Sequence, residues 1–180
     1  KGRDDLAYVS NQLERNGFES IIGFGTDNDF KDTTIFRLNL FGHTCFFEEE
    51  EMYWSKETSN IRENYAKYID AVCNEMISDG VLTRDIVGDN FAIDIISLER
   101  AISKGSLKSY QRVDPKLTSN RFTRADFISY CPTLAEFWFK FFSSSPEEII
   151  ISDLKVFKTV SNLVYNLDDN DYLVRKFKAF

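Results

Sequence analysis

The stretch TTIFRLNLF, residues 33–41, is the clearest strand in the chain and the point from which its fold can be argued. Apolar and polar residues alternate through it, in the order Phe36, Arg37, Leu38, Asn39 and Leu40. A period of two places the apolar side chains on one face and the polar side chains on the other. The stretch therefore predicts a strand with one face against a core.

The residues on either side of this strand predict a small sheet. Residues 18–24 have the composition of an earlier strand, and Gly42 and His43 form a plausible turn into a further strand at residues 44–48. Before them, a helical spacing of apolar residues predicts a short helix that ends at Gly17. We therefore expect mostly antiparallel pairing in the N-terminal third.

The segment between the first two predicted strands is rich in turn-forming residues, namely Asp27, Asn28, Asp29 and Asp32. Such a cluster could bind calcium. However, the segment lacks the glycine and the glutamate that an EF-hand loop places at its sixth and twelfth positions. We interpret it as a solvated turn.

Helical periodicity dominates from Ser59 onward. An apolar stripe that includes Tyr65 and Ile69 predicts a helix closed by Gly80, and a second stripe predicts a helix closed by Gly105. The residues that follow, 105–122, are polar and contain few apolar repeats, which predicts a long surface connection.

Two local signals predict helix starts further along the chain. Residues 123–126 resemble a capping box with Asp in place of Glu, and Pro132 is expected to break or restart the helix that follows. Residues 145–148, SPEE, combine a capping serine, a proline at the first helical position and a glutamate at the third. This combination predicts a helix that begins at the proline.

Together these patterns predict the α+β class, with a small, mostly antiparallel sheet from the N-terminal third packed against a predominantly helical C-terminal two thirds. A chain of 180 residues has the usual size of one domain. We expect a single domain over residues 1–180, strand-rich over about 1–54 and helical over about 55–180.

The charge balance favours some partners over others. The chain has 29 acidic and 22 basic residues, a formal net charge of −7. A field of this sign repels phosphate backbones, so a basic protein partner is favoured and nucleic acid is disfavoured. The acidity could equally serve solubility alone. The sequence does not determine the oligomeric state.

The cysteines bear on the cellular compartment. Cys45, Cys73 and Cys131 are odd in number and widely spaced, which predicts reduced thiols and a cytoplasmic location. The sequence contains no uninterrupted apolar run of membrane-spanning length, so we expect no membrane partner. The chain begins without a methionine, which suggests that it was trimmed or cut from a longer protein.

Candidate catalytic and metal-binding residues are few. His43 is the only histidine, and it lies two positions from Cys45, where both side chains would share one face of a strand. The spacing of paired zinc ligands is missing from the sequence. We therefore expect no metal, no cofactor and no catalytic residue, which favours a non-enzyme.

A run of four adjacent acids followed by two aromatic residues is the first candidate binding site. It consists of Glu48, Glu49, Glu50, Glu51, Tyr53 and Trp54. Adjacent carboxylates repel one another unless water, salt or a cationic group compensates, and aromatic anchors beside an acidic rim are common at protein interfaces. The alternative is a solvated strand end whose two rings turn into the core.

A basic stretch is the second candidate binding site. It includes Lys104, Lys108, Arg112 and Arg121, in a region with a single acid at position 114. This local reversal of charge would suit nucleic acid or an acidic neighbour.

Two functions follow from these patterns. The first is an acidic protein-binding domain that neutralises or scaffolds a basic partner, in the form of an immunity or antitoxin-type inhibitor of a cationic nuclease toxin. The alternative is an excised regulatory or interaction domain of a larger assembly that processes nucleic acid.

Overall fold

The computed structural model describes residues 2–17, 20, 22–42, 45–139 and 146–166. Within these residues the chain forms four strands, nine α-helices and one 3₁₀ helix. In chain order they are α1 (Gly2–Arg15), β1 (Ile22–Asn28), β2 (Phe36–Gly42), the 3₁₀ helix (Glu50–Tyr53), α2 (Ser59–Ser78), α3 (Arg84–Val87), α4 (Phe91–Ser103), α5 (Ser109–Arg112), α6 (Pro115–Thr118), β3 (Asn120–Thr123), α7 (Arg124–Tyr130), α8 (Pro132–Phe139), β4 (Glu148–Ile151) and α9 (Leu154–Tyr165). Among the described helices, none is both long enough and apolar enough to cross a membrane.

The four strands form one mixed sheet in the order β1-β2-β4-β3. β1 and β2 are antiparallel, β2 and β4 are parallel, and β3 returns antiparallel to β4. The predicted α+β class is confirmed. Two strands of the sheet, β3 and β4, come from the C-terminal half of the chain, so the sheet connects both halves.

The strand predicted from residues 33–41 is β2, but its neighbours differ from the prediction. The predicted hairpin into residues 44–48 is wrong, because Cys45 lies outside any strand and residues 46–49 form bends. Leu38 pairs instead with Ile149 of β4, so the second edge of β2 is occupied by a strand from far along the chain. His43 and Thr44 lie outside the described residues.

β1 is described from Ile22 and continues to Asn28, four residues beyond the predicted end at Phe24, so the turn is at residues 29–35. Residues 18, 19 and 21 of the predicted strand lie outside the described residues. Gly23 pairs with Phe41 of β2, and a side-chain carbon at position 23 would collide with the Phe41 ring. The glycine therefore lets the ring lie across the neighbouring strand, as expected where a strand glycine accommodates a close approach.

The helix predicted to begin at Pro146 is absent from this position. Residues 149–151 form the buried part of β4, and the helix begins later, at Leu154. Its cap is Asp153, whose carboxylate accepts hydrogen bonds from the amides of Lys155 and Val156, each at 3.1 Å. Three consecutive isoleucines between two strands gain more by burial than a local capping signal contributes. Ser145 lies outside the described residues.

Residues 105–122 are more ordered than the predicted surface connection. Asp114 caps the short helix α6 through a 2.9 Å hydrogen bond from the Lys116 amide. β3 follows, and it forms by pairing Arg121 with Ile150 of β4. Its partner lies 29 positions away, so no local pattern could show this strand.

The predicted glycine-capped helix ends and the predicted capping box agree with the structure. Gly17, Gly80 and Gly105 have positive φ angles, and the capping box between Thr123 and Asp126 is present. The core joins the sheet to the helices, since Leu40 of β2, Ile151 of β4 and Val160 of α9 are all fully buried in one cluster. The predicted division into strand-rich and helical parts of one domain stays a prediction.

Candidate functional site

The two predicted binding segments lie side by side around one cleft of about 260 Å³. Cys45, Phe47 and Glu48, from the segment that follows β2, line this cleft. The stretch that follows α4 also lines it, through residues that include Leu107 and Arg112. We refer to this contact between residues 48–54 and residues 104–112 as the acid–base junction.

Two of the four adjacent glutamates bind the backbone of the opposite segment. Glu49 accepts a 2.8 Å hydrogen bond from the Ser109 amide, and Glu50 accepts a 2.9 Å hydrogen bond from the Gly105 amide. The bond from Ser109 lowers the pKa of the Glu49 carboxyl, with nearby Arg112 and Lys108 adding to the effect. These hydrogen bonds offset part of the repulsion between the adjacent carboxylates.

Arg112 completes the junction from the basic side. Its guanidinium donates to the carbonyl oxygens of Glu48 at 2.6 Å and Leu107 at 2.9 Å. Lys104 and Lys108 are exposed beside it. The acidic run and this part of the basic stretch are therefore joined to each other.

The two aromatic residues of the acidic segment point in different directions. Trp54 is 53% exposed, whereas Tyr53 is only 3% exposed. The Tyr53 hydroxyl donates to the Glu99 carboxylate at 3.0 Å and accepts from the Phe47 amide at 3.1 Å. Tyr53 therefore turns into the core, as the alternative interpretation of the acidic segment predicted, whereas Trp54 stays exposed.

Glu99 is a buried acid that the sequence prediction missed. It is 4% exposed, and it also accepts a 2.8 Å hydrogen bond from the Tyr65 hydroxyl. Burial raises the pKa of both Tyr53 and Tyr65, so both remain donors near neutral pH. Its spacing could have indicated burial, because Glu99 lies four residues after Ile95 and therefore on the apolar face of α4.

Cys45 is a poor candidate for a nucleophile. Its thiol is buried and donates to the Glu99 carbonyl at 3.6 Å. Burial raises the pKa of the thiol to about 12, which keeps it protonated at neutral pH. All three cysteines are free and buried, and their reduced state in the cell stays a prediction. His43, its proposed metal-sharing neighbour, lies outside the described residues.

A second polar cluster lies at the sheet and contains the remaining basic candidate, Arg121. Asp29 is 1% exposed and accepts hydrogen bonds from Arg121, from Arg37 at 2.6 Å and from the Lys31 amide at 2.8 Å. Arg37 also contacts Glu148 at 2.6 Å. The solvated turn predicted here is therefore wrong at Asp29.

The bonds from Arg37 hold the pKa of Asp29 below its ordinary value, with the Lys31 amide as the second cause. Two arginines from different strands thus neutralise one buried acid, and Arg121 serves this cluster rather than the acid–base junction. Among the described residues, no group of three His, Cys, Asp or Glu side chains could hold a metal ion.

Comparison with protein families gives a match over nearly the whole chain. The model described as peptidase family M13 matches residues 1–177, nearly the whole chain. The search of curated proteins found no significant match.

Two similar solved structures are of the zinc metalloprotease Zmp1 from Mycobacterium tuberculosis, one by cryo-electron microscopy in an open state and one in crystals with an inhibitor. Each superposes with a TM-score of 0.73 at 17% identity over 99% of this chain. The chain spans only 28% and 27% of their lengths. At this identity the likeness shows the fold alone.

The family match overturns the first functional hypothesis. An immunity or antitoxin-type toxin inhibitor is wrong, because the match is to a peptidase family. The alternative, a domain of a larger assembly, agrees better with these findings. Binding at the predicted acidic and basic residues, a basic partner and a cytoplasmic location all stay predictions.

Proposed function

Since this chain belongs to peptidase family M13, we propose that it is a non-catalytic part of a longer zinc metallopeptidase whose zinc ligands lie elsewhere in the polypeptide. The main support for this proposal is the family match over residues 1–177. The same chain contains a single histidine. The similar Zmp1 chains, more than three times longer, are described as zinc metalloproteases.

The residues of this chain do not fit a zinc site. Metallopeptidase zinc is commonly held by two histidines four residues apart on a helix, with a third protein ligand. His43 is the only histidine in the sequence, and the described residues offer no suitable cluster of ligands. We assign no catalytic step to this chain.

The buried ion pairs and charge-assisted hydrogen bonds of the chain are suited to a rigid part that supports the rest of the peptidase. Asp29 joins strands β2 and β3 through Arg37 and Arg121, and the acid–base junction joins the segment after β2 to the segment after α4. Charge-assisted hydrogen bonds of this kind are stronger than neutral ones and fix the orientation of the groups they join. In the longer peptidase, such a part would hold its surfaces in a constant position beside the catalytic residues.

A zinc and activity measurement tests this proposal. We would purify this chain and the longer protein from the same source, measure zinc by inductively coupled plasma mass spectrometry, and follow hydrolysis of an internally quenched peptide. We expect about one zinc per molecule and hydrolysis for the longer protein only, as in other one-zinc peptidases.

The His43→Ala variant of the longer protein is the control. It should retain its zinc and its activity, because a single histidine in this part is not expected to be a ligand. Stoichiometric zinc together with hydrolysis by this chain alone would contradict the proposal. So would a longer protein that neither binds zinc nor cleaves peptides.

A further inference from the structure

The cleft beside the acid–base junction has an apolar interior. Its volume is about 260 Å³, and its apolar lining includes Phe41 of β2, Phe47, Ile102 of α4 and Val156 of α9. Phe47, Ile102 and Val156 are buried, so this part of the lining belongs to the core. Ligand pockets commonly combine such a lining with a few polar groups, and they span roughly 300 to 1,000 Å³. The cleft lies just below that range, so it suits a small ligand.

Two residues of opposite charge also line the cleft without forming an ion pair with each other. Arg112 donates from Nε to the Leu107 carbonyl and from Nη2 to the Glu48 carbonyl, while its Nη1 donates to none of the described residues. Glu48 is exposed, and within the described part of the chain its carboxylate has no hydrogen-bond or ion-pair partner. A cation and an anion at the same cleft are therefore both available to a ligand.

Asp153 adds a second carboxylate to the lining, but the fold already uses this one. It accepts hydrogen bonds from the amides of Leu107 at 2.7 Å and of Lys155 and Val156 at 3.1 Å each. A ligand with only a carboxylate would meet two acids of the protein, and a ligand with only an ammonium group would meet the guanidinium of Arg112. A ligand that carries both charges on one carbon complements the cation and the anion together.

From this combination we infer that the cleft binds a free amino acid with a large apolar side chain. The side chain lies against the apolar lining, the carboxylate accepts from Nη1 of Arg112, and the ammonium group donates to Glu48. Ser106 and Ser152 also line the cleft, and their hydroxyl groups, which bind none of the described residues, can donate to the same carboxylate. Such charge-assisted hydrogen bonds are stronger than neutral ones. The inference goes beyond the proposed function and depends on neither zinc nor hydrolysis.

Titration with L-leucine tests this inference. We would follow the backbone amides of this chain by two-dimensional NMR, and the ligand signals by saturation-transfer difference NMR with the longer protein. We expect saturable shifts at Ser106 and Leu107 and a Kd on the order of 1 mM, an ordinary affinity for a ligand of this size. Glycine should not bind at the same concentrations, because it has no side chain to bury in the cleft.

Two analogues that each lack one charge test the recognition of the ligand. L-Leucinamide lacks the carboxylate, and N-acetyl-L-leucine lacks the ammonium group. Each should bind at least about tenfold more weakly than L-leucine, because each leaves Arg112 or Glu48 without its partner. Equal affinities for N-acetyl-L-leucine and L-leucine would overturn the inference and would identify a site for carboxylates in general.

Variants of the cleft test the same contacts from the side of the protein. Glu48→Gln should weaken L-leucine about tenfold and leave N-acetyl-L-leucine unchanged. Glu51→Gln is the matched control, because Glu51 is exposed in the same acidic run and does not line the cleft. Ser106→Leu fills part of the cleft and should abolish binding. The amide spectrum of each variant verifies that it is folded.

Three further results would overturn the inference. The first is the absence of saturable shifts in the folded chain at about ten times the expected Kd. The second is wild-type affinity for L-leucine in both Glu48→Gln and Ser106→Leu. The third is binding by this chain that is absent from the longer protein, which would show that the cleft is closed there.

Discussion

Buried acids show how a single residue can depend on distant partners. Glu99 binds Tyr53 and Tyr65, and Asp29 binds Arg37 and Arg121. The partner in each case comes from another element, up to 92 positions away. A buried carboxylate without such partners would be costly, so these acids require the tertiary structure that surrounds them.

Asp29 should make the stability of the domain dependent on acid pH. Its pKa is lowered in the folded state, so its contribution is fully present above the unfolded value, near 4, and is lost as pH falls through the lower folded value. We expect Asp29→Asn to be less stable than the wild type at pH 7 and to lose less stability than the wild type below about pH 4.

Urea unfolding at pH 7, 5, 4 and 3 measures this effect. Asp70→Asn, at an exposed position of α2, is the control and should follow the wild-type curve. Parallel pH dependence of Asp29→Asn and wild type would show that Asp29 does not contribute in this way.

At the scale of elements, local signals located most helices but misplaced strands. The helix ends at Gly80 and Gly105 were predicted from sequence because a capping glycine acts within a few residues. The strands at residues 120–123 and 148–151 were not predicted, because each depends on a pairing partner far along the chain. At residues 146–148 the burial of the apolar strand that follows outweighs the local capping signal.

The β1–β2 pair offers a test of packing between elements. Gly23 faces the Phe41 ring, whereas a carbon added at Gly25 would lie at an ordinary 3.6 Å from an atom of the same ring. We expect Gly23→Ala to destabilise the domain by about 1 to 3 kcal/mol through overpacking. Gly25→Ala, two residues away on the same strand, should cost less.

A double-mutant cycle in urea measures the coupling. Phe41→Leu should recover part of the loss in Gly23→Ala, because the smaller side chain vacates the space above the glycine. Equal losses for the two alanine variants, with no coupling to position 41, would rule out the ring as the cause.

At the scale of the whole molecule, the acid–base junction joins segments about 60 residues apart. The sequence shows both charged segments but not their contact, so each was interpreted as a surface for a foreign partner. In the structure, Glu49 and Glu50 bind the backbone near Ser109 and Gly105, and Arg112 binds the Glu48 carbonyl. Part of their charge is therefore used within the molecule.

We expect the double variant Glu49→Ala with Glu50→Ala to loosen the segment after α4. Each lost bond leaves an amide without its acceptor, at about 1 kcal/mol, which corresponds to roughly fivefold faster hydrogen exchange at Gly105 and Ser109. Exchange measured by mass spectrometry or NMR would show this.

The double variant Glu48→Ala with Glu51→Ala is the control, since both side chains are exposed and the Glu48 contact uses its backbone carbonyl. It should leave exchange at Gly105 and Ser109 unchanged. Equal effects of the two double variants would mean that charge, and not the specific hydrogen bonds, orders the segment.

The sequence by itself determined the α+β class, the positions of strand β2 and of the long helices, and the glycine caps, because periodicity and capping act over a few residues. Only the tertiary structure decided the strand order, the partners of Asp29 and Glu99, and the contact between the acidic and basic segments. These depend on residues that lie far apart in the chain and meet when the sheet and core form. Local patterns contain no information about which distant groups will come into contact. Those contacts decide which partners form hydrogen bonds with the buried polar groups.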